Sequence, residues 1–194
     1  MDKYEILKKY FGYDSFRGAQ ETLIDSILEG RDVLGIMPTG AGKSLCYQIP
    51  ALLTEGITLV VSPLISLMKD QVGNLNQAGI HAAYLNSSLT AGQYYKALAL
   101  ARQGRYPIIY VAPERLMTEA FLDFALHAGI SMVAIDEAHC VSQWGQDFRP
   151  GYLKIPDFIA ALPRRPVVGA FTATATREVR DDIIDIVRLR EPVV

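Results

Sequence analysis

Cysteine is nearly missing from this chain: Cys46 and Cys140 are the only two in 194 residues, far apart and without a CxxC partner. No cysteine-rich zinc segment can be built from them, and two buried free thiols in a reducing compartment are the expectation. A surplus of positive charge is missing too. Lys and Arg number 19 against 21 Asp and Glu, a formal net charge of -2 with a pI near 5.9. Nothing in the bulk charge announces nucleic acid, so any such binding has to be local. No apolar run approaches the roughly 18 residues of a membrane span. The first residues, Met1-Asp2-Lys3-Tyr4-Glu5, lack the apolar stretch of a signal peptide. A soluble cytoplasmic protein with no membrane partner is expected. Repeats, low-complexity tracts and linkers are likewise lacking, and tryptophan occurs once, at Trp144.

What is present is a large apolar fraction, 50% of residues, ample for the core of one domain spanning 1–194. The most informative stretch is Met37-Pro38-Thr39-Gly40-Ala41-Gly42-Lys43-Ser44. Asp32 to Met37 before it reads as a short buried strand, and Leu45 to Ile49 after it suits a helix interior. At a strand-to-helix junction the unpaired backbone N–H groups and the positive end of the helix dipole favour a bound phosphate. Gly40 and Gly42 let the chain wrap closely. Thr39, Gly40, Ala41 and Gly42 would cradle the phosphates of a nucleotide, Lys43 would reach the outer ones, and Ser44 would offer its hydroxyl to Mg²⁺. The general pattern places glycine at 37, where this chain has Met37. A glycine-rich turn with a solvated lysine is the alternative.

Helical spacing is read over residues 4–10, from Arg17 to Glu29, over 64–78, from Leu89-Thr90 through Ala101, from Phe121 to Leu126, over 153–161 and from Val179 to Val187. A β-branched run at Ile57–Val61 and the segments His81–Leu85, Pro107–Val111, Met132–Ile135 and Val167–Phe171 read as further strands. Strands alternate with helices throughout and are continuously apolar, so both sheet faces are covered. The expected fold is α/β, a mostly parallel central sheet with helices on both faces.

In such sheets ligands collect beyond the carboxyl ends of the strands. Asp136-Glu137-Ala138-His139 follows the fifth strand and Thr172-Ala173-Thr174 the sixth. Asp136, opposite Ser44, can hold Mg²⁺, and Glu137 can orient or activate a water. An acidic pair in a solvated loop is the alternative. Trp144 and Phe148 lie four apart in a polar, Gly-interrupted segment ending at Pro150, which argues for a loop. Aromatic residues exposed there beside Arg149 would suit stacking on unpaired bases, whereas core packing is the other reading.

Taken together, these stretches resemble the first RecA-like, P-loop motor domain of superfamily two helicases, and within it the RecQ family. The resemblance covers essentially the whole chain. It rests on the Met37 to Ser44 loop, Asp136 to His139, Phe171-Thr172-Ala173-Thr174-Ala175, and two RecQ-like stretches: Phe11-Gly12-Tyr13 with Phe16-Arg17 and Gln20, and Cys140 to Pro150. Met37 then takes the place of a glycine that these helicases resemble one another in replacing. The resemblance implies ATP and Mg²⁺ as cofactors and single-stranded DNA or a junction as partner. It implies catalytic roles for Lys43, Asp136, Glu137 and His139, with Ser44 and Asp136 on the metal. Gln20 would read adenine while Tyr13 and Arg17 sandwich the base; a surface helix residue is the alternative for Gln20. His139 would link the ATP site to Thr172 and Thr174, and the loop with Trp144, Phe148 and Arg149 would sense single-stranded DNA.

Ser62 and Pro63, Asn86, and Arg115 would add backbone contacts to nucleic acid, with solvated turns as the alternative. Two residues depart from the family pattern: Gln146 replaces the usual histidine, which bears on the coupling, and Ala19 replaces glycine. The implied activity is that of a 3'-to-5' DNA helicase acting in repair and recombination, in a bacterial cytosol or nucleoid or in a nucleus. A second RecA-like domain is expected to supply arginines that complete the site, so this polypeptide alone would bind ATP weakly, hydrolyse it slowly and not unwind. Alternatives are a remodelling ATPase that translocates on DNA or RNA, and a non-hydrolysing module that docks DNA or a partner.

Overall fold

The computed structural model describes residues 1–38, 42–145 and 147–194. Six strands form one sheet: β1 (Val33–Ile36), β2 (Ile57–Val61), β3 (Ala82–Leu85), β4 (Ile108–Val111), β5 (Ile130–Ile135) and β6 (Val167–Thr172). Their order across the sheet is β1-β6-β5-β2-β4-β3, and every described pairing is parallel. Parallel neighbours need a crossover, and helices supply it. The crossovers are α3 (Leu45–Leu53), α4 (Ile65–Gln77), α5 (Ala91–Arg102), α6 (Glu119–Ala128) and α7 (Lys154–Ala161), while α1 (Lys3–Ile6) and α2 (Gln20–Leu28) precede β1 and α8 (Arg177–Val187) follows β6.

Adjacent residues of one strand enter opposite cores, which is why the strands are apolar without alternation. Leu59 and Val61 join Leu98, Phe124, Phe158 and Ile183, from α5 to α8. Val60 faces the other way, toward Leu23, Ile27, Tyr47, Met68 and Val72 of α2 to α4. Phe171 packs against the ring of Tyr47, 5.5 Å between centroids. A Cβ on Gly35 or Gly169 would come within 2.9 Å of the Phe171 ring, so this part of the sheet has room only for glycine.

Most expected elements are present with shifted ends. The helix read over 4–10 is α1 followed by one wider turn, Leu7–Phe11, stopped by Gly12 at φ 77°. The helix read from Arg17 begins instead at Gln20, and Thr90 caps α5 in a reciprocal box with Gln93. The sequence did not suggest the clamp around Asp32, a carboxylate 3% exposed. Arg165 grips it with two bonds of 3.1 and 2.6 Å, and the N–H groups of Val168 and Arg190 donate to it at 3.0 and 2.8 Å. Beside it Val193 pairs in parallel along the free edge of β1, receiving the Leu34 N–H at 2.8 Å.

Candidate active site

The carboxyl ends of β1, β6 and β5 lie side by side, since β6 is hydrogen-bonded to both others. Met37 N–H donates to Thr172 O at 2.9 Å, and Asp136 N–H to Val61 O at 2.9 Å, so the strand ends are fixed before any side chain is considered. Of the loop from Met37 to Ser44, positions 39–41 lie outside the described residues, as do the expectations for Thr39, Gly40 and Ala41. Gly42 has φ 73°, and a Cβ there would stand 2.2 Å from Gln20 Nε2. Only glycine meets both conditions.

Lys43 Nζ lies 3.3 Å from Asp136 Oδ1 and 3.4 Å from Glu137 Oε1. The lysine after β1 and the acidic pair after β5 therefore share one site, 94 residues apart in sequence for Lys43 and Glu137. Asp136 is 2% exposed. Burial raises its carboxyl above the ordinary range, and Lys43 works against that rise while Glu137 adds to it. Tyr152, whose role the sequence did not suggest, is fully buried and donates from its hydroxyl to Asp136 O at 2.8 Å. Glu137 adopts a left-handed backbone, φ 53° and ψ 45°, a conformation that costs a non-glycine residue about 1–2 kcal/mol. Its N–H donates to Asp136 Oδ1 at 3.0 Å, holding the two carboxylates in fixed relation.

His139 Nδ1 lies 2.8 Å from Thr172 Oγ1, and that hydroxyl donates to Thr174 O at 3.2 Å. With the threonine proton so engaged, its oxygen accepts from Nδ1–H of His139, which sets the imidazole tautomer. The acidic turn is thereby tied to the segment after β6.

Gln20 is 2% exposed, which removes the surface-residue alternative. Its amide accepts from Arg17 N–H at 2.8 Å and donates to Gly42 O at 3.1 Å. Tyr13 is 50% exposed, and Arg17 is exposed as well. Among the described residues no cation-π pair joins them, so the base sandwich is not formed here.

Trp144 is 77% exposed, against the core-packing alternative, while Phe148 and Arg149 are half-buried. Arg149 pairs with Asp147 at 3.3 Å. A cavity of about 460 Å³ opens between this loop and the segment after β6, lined by His139, Trp144, Asp147, Thr172 and Thr174 among others. Gln146 lies outside the described residues. Ser62 is buried with its hydroxyl unpartnered among the described residues. Asn86 is wholly buried, and its carbonyl accepts from the Ser88 N–H and hydroxyl at 2.9 and 2.6 Å. Its side chain is thus engaged in shaping its own turn. Arg115 stacks over Tyr94, 4.7 Å from the ring centre, a packing role the sequence did not reveal.

Asp136 supplies a buried carboxylate and Ser44 a hydroxyl that caps nothing at the start of α3. This hard-oxygen pair fits Mg²⁺. Burying that carboxylate lowers stability, and Lys43 offsets the cost only in part. Because its folded-state value is raised, that penalty is relieved at acid pH and grows as pH rises through the raised value. We expect Asp136→Asn to raise the melting temperature at neutral pH, because the uncharged amide removes that penalty. The gain should vanish on acidification; thermal melts across pH check both signs.

An α/β domain with a lysine-bearing loop after one strand, facing an acidic pair two strands away, is of the RecA-like nucleotide-binding class. The chain belongs to the DEAD/DEAH box helicase family, which it matches over residues 17–182. Within that family it is similar to ATP-dependent DNA helicase RecQ of Bacillus subtilis (strain 168), 51% identical over 92% of this chain and 30% of that protein. It is similar also to the RecQ of Pasteurella multocida (strain Pm70), 50% identical over 97% of this chain and 30% of that one. The chain thus spans under a third of the length of these curated relatives. A solved structure of a hypothetical ATP-dependent RNA helicase from Sulfolobus tokodaii aligns with a TM-score of 0.73 at 26% identity, covering 98% of this chain and 56% of that one. Among the described residues no helix is long and apolar enough to cross a membrane.

Proposed function

We propose that this chain is the ATP-binding motor domain of a RecQ-type 3'-to-5' DNA helicase that acts in DNA repair and recombination, in the cytosol or the nucleus. The observation that carries the reading is Lys43 within 3.4 Å of both Asp136 and Glu137. When bound, ATP provides the phosphoryl group to be transferred, and Mg²⁺ neutralises its charge. Lys43 would then exchange its carboxylate partners for phosphate oxygens, which frees the carboxylate of Asp136 for the metal alongside Ser44. Glu137, released from Lys43, would accept a proton from the attacking water. Gln20 would turn its amide from Gly42 O to the adenine edge, so that base recognition and the phosphate loop draw on one side chain. Tyr13 and Arg17 would close on the base from the solvent side.

Single-stranded DNA would lie across the carboxyl edge of the sheet, with Trp144 and Phe148 against unpaired bases. Backbone phosphates would be met by Pro63, the turn that Asn86 shapes, and Arg115, while Ser62, being buried, would shape the segment from beneath. The groove beside His139, Thr172 and Thr174 would carry that contact back to the acidic turn. Arginines of a second RecA-like domain would complete the nucleotide site.

The test is hydrolysis by the longer polypeptide that carries the second domain, with single-stranded DNA or RNA added. Stimulation by DNA well above that by RNA is the expected result. Equal or greater stimulation by RNA would overturn the DNA reading, and robust strand separation by residues 1–194 alone would overturn the need for a second domain.

A further inference from the structure

We infer that Asp182, on α8, is a positioning residue that holds the aromatic loop and tunes its response to single-stranded DNA. The second half of this rests on the coupling role proposed above for that loop.

The Trp144 side chain is 77% exposed, so packing does little to place it and its backbone must. That backbone is held from a single hydroxyl. Ser142, 0% exposed, accepts the Trp144 N–H on Oγ at 3.1 Å, and the same Oγ donates its proton to Asp182 Oδ2 at 2.7 Å. A serine hydroxyl has one proton and two lone pairs. By taking the proton, the carboxylate fixes the rotor and leaves the lone pairs for the tryptophan amide. A hydrogen bond to an ionised acceptor is roughly twice as strong as a neutral one.

Other described residues of the loop close around this point. Gly145 N–H donates to Ser142 O at 3.2 Å, and Arg149 N–H to Cys140 O at 2.9 Å. A Cβ on Gly145 would lie 3.1 Å from His139 O, so the turn has little slack.

The position of Asp182 gives the latch its reach. α8 follows the Thr172 to Thr174 segment directly, capped by Thr176, whose Oγ1 accepts the Val179 N–H at 3.3 Å. Thr172 in turn holds His139 at 2.8 Å. A closed circuit results: from the acidic turn through His139 to Thr172, along the start of α8 to Asp182, across to Ser142, and back along the chain to His139. The loop is therefore tied to the acidic turn by its own backbone and, independently, by α8. A shift of the segment after β6 moves Asp182 and, with it, the amide that orients Trp144.

Trp144 is the only tryptophan, so its emission reports this loop alone. Asp182→Ala is expected to lower Trp144 anisotropy and increase quenching by iodide, with the circular dichroism spectrum unchanged. In the two-domain polypeptide it should reduce DNA-stimulated hydrolysis about tenfold, while the unstimulated rate and the KM for ATP stay within about twofold. Asp182→Asn, whose amide oxygen still accepts from Ser142, should recover most of both signals. Parental anisotropy and parental stimulation in a folded Asp182→Ala protein would overturn the inference. Should Asp182→Ala fail to fold, Ser142→Ala and Asp182→Asn decide: the first must loosen Trp144 and the second must not, or the inference fails. If single-stranded DNA leaves Trp144 emission unchanged in the parent, the coupling role of the loop is overturned, and the hold of Asp182 on Trp144 is still judged from anisotropy without DNA.

Discussion

Lys43→Ala is expected to lower hydrolysis about a hundredfold to a thousandfold in the two-domain polypeptide, the loss that follows from deleting a preorganised charge aimed at the transferring group. Nucleotide binding should weaken as well, because this is the only lysine or arginine within 4 Å of Asp136 and Glu137 among the described residues, the other neighbour being His139 Nδ1 at 3.6 Å from Glu137. The substitution acts on the protein itself too. Asp136 loses the stronger of the two contacts that offset its burial and keeps only the Glu137 N–H, so its carboxyl is pushed further toward the protonated form and would bind Mg²⁺ less well. Hydrolysis assays with melting curves separate the two effects, since a folded variant without activity points to the site. A variant that keeps its activity would return the chain to the class of non-hydrolysing docking modules.

Glu137→Gln should behave differently. The amide is nearly isosteric, leaves the backbone N–H free to donate to Asp136 Oδ1 as before, and takes away the base and the negative charge that faces Lys43 at 3.4 Å and His139 Nδ1 at 3.6 Å. Loss of a positioned general base costs roughly 10²–10⁴ in rate. The expected result is a fall of that size in kcat with KM for ATP unchanged or lower. Steady-state kinetics with direct nucleotide titration give the split, and a rise in KM with little change in kcat would reassign Glu137 to binding. The left-handed backbone of this residue supports a functional role, since strain of this kind persists where the surrounding structure holds it in place.

Local signals in the sequence were enough for the layers of the fold. Continuous apolar runs marked strands covered on both faces, and Thr90 marked the start of α5 because a cap is a local event. The residues immediately after β1, β5 and β6 pointed to the site, since a parallel sheet gathers those positions at one edge. What stayed hidden depended on which distant backbone atoms meet. Tyr152 beneath Asp136, Asp182 beneath Ser142 and Asp32 at the opposite end of the sheet are single polar residues with no motif around them. Gln20 shows the same limit from the other side: its place at the start of α2 was readable, while its bond to Gly42 O required the three-dimensional approach of α2 to the loop. Asn86 and Arg115 look like exposed turn residues in sequence, yet one is buried in its own turn and the other lies on Tyr94.

The central claim is that Lys43, Ser44, Asp136 and Glu137 form one nucleotide site. The most direct measurement is a crystal structure of this chain with Mg²⁺ and a non-hydrolysable ATP analogue. The phosphates should lie against Gly42 to Ser44, with Lys43 Nζ drawn off its carboxylates, the cation between Ser44 Oγ and the Asp136 side, and Gln20 turned toward the adenine. Phosphates bound elsewhere on the domain, or bound while Lys43 remains paired with Asp136 and Glu137, would contradict it.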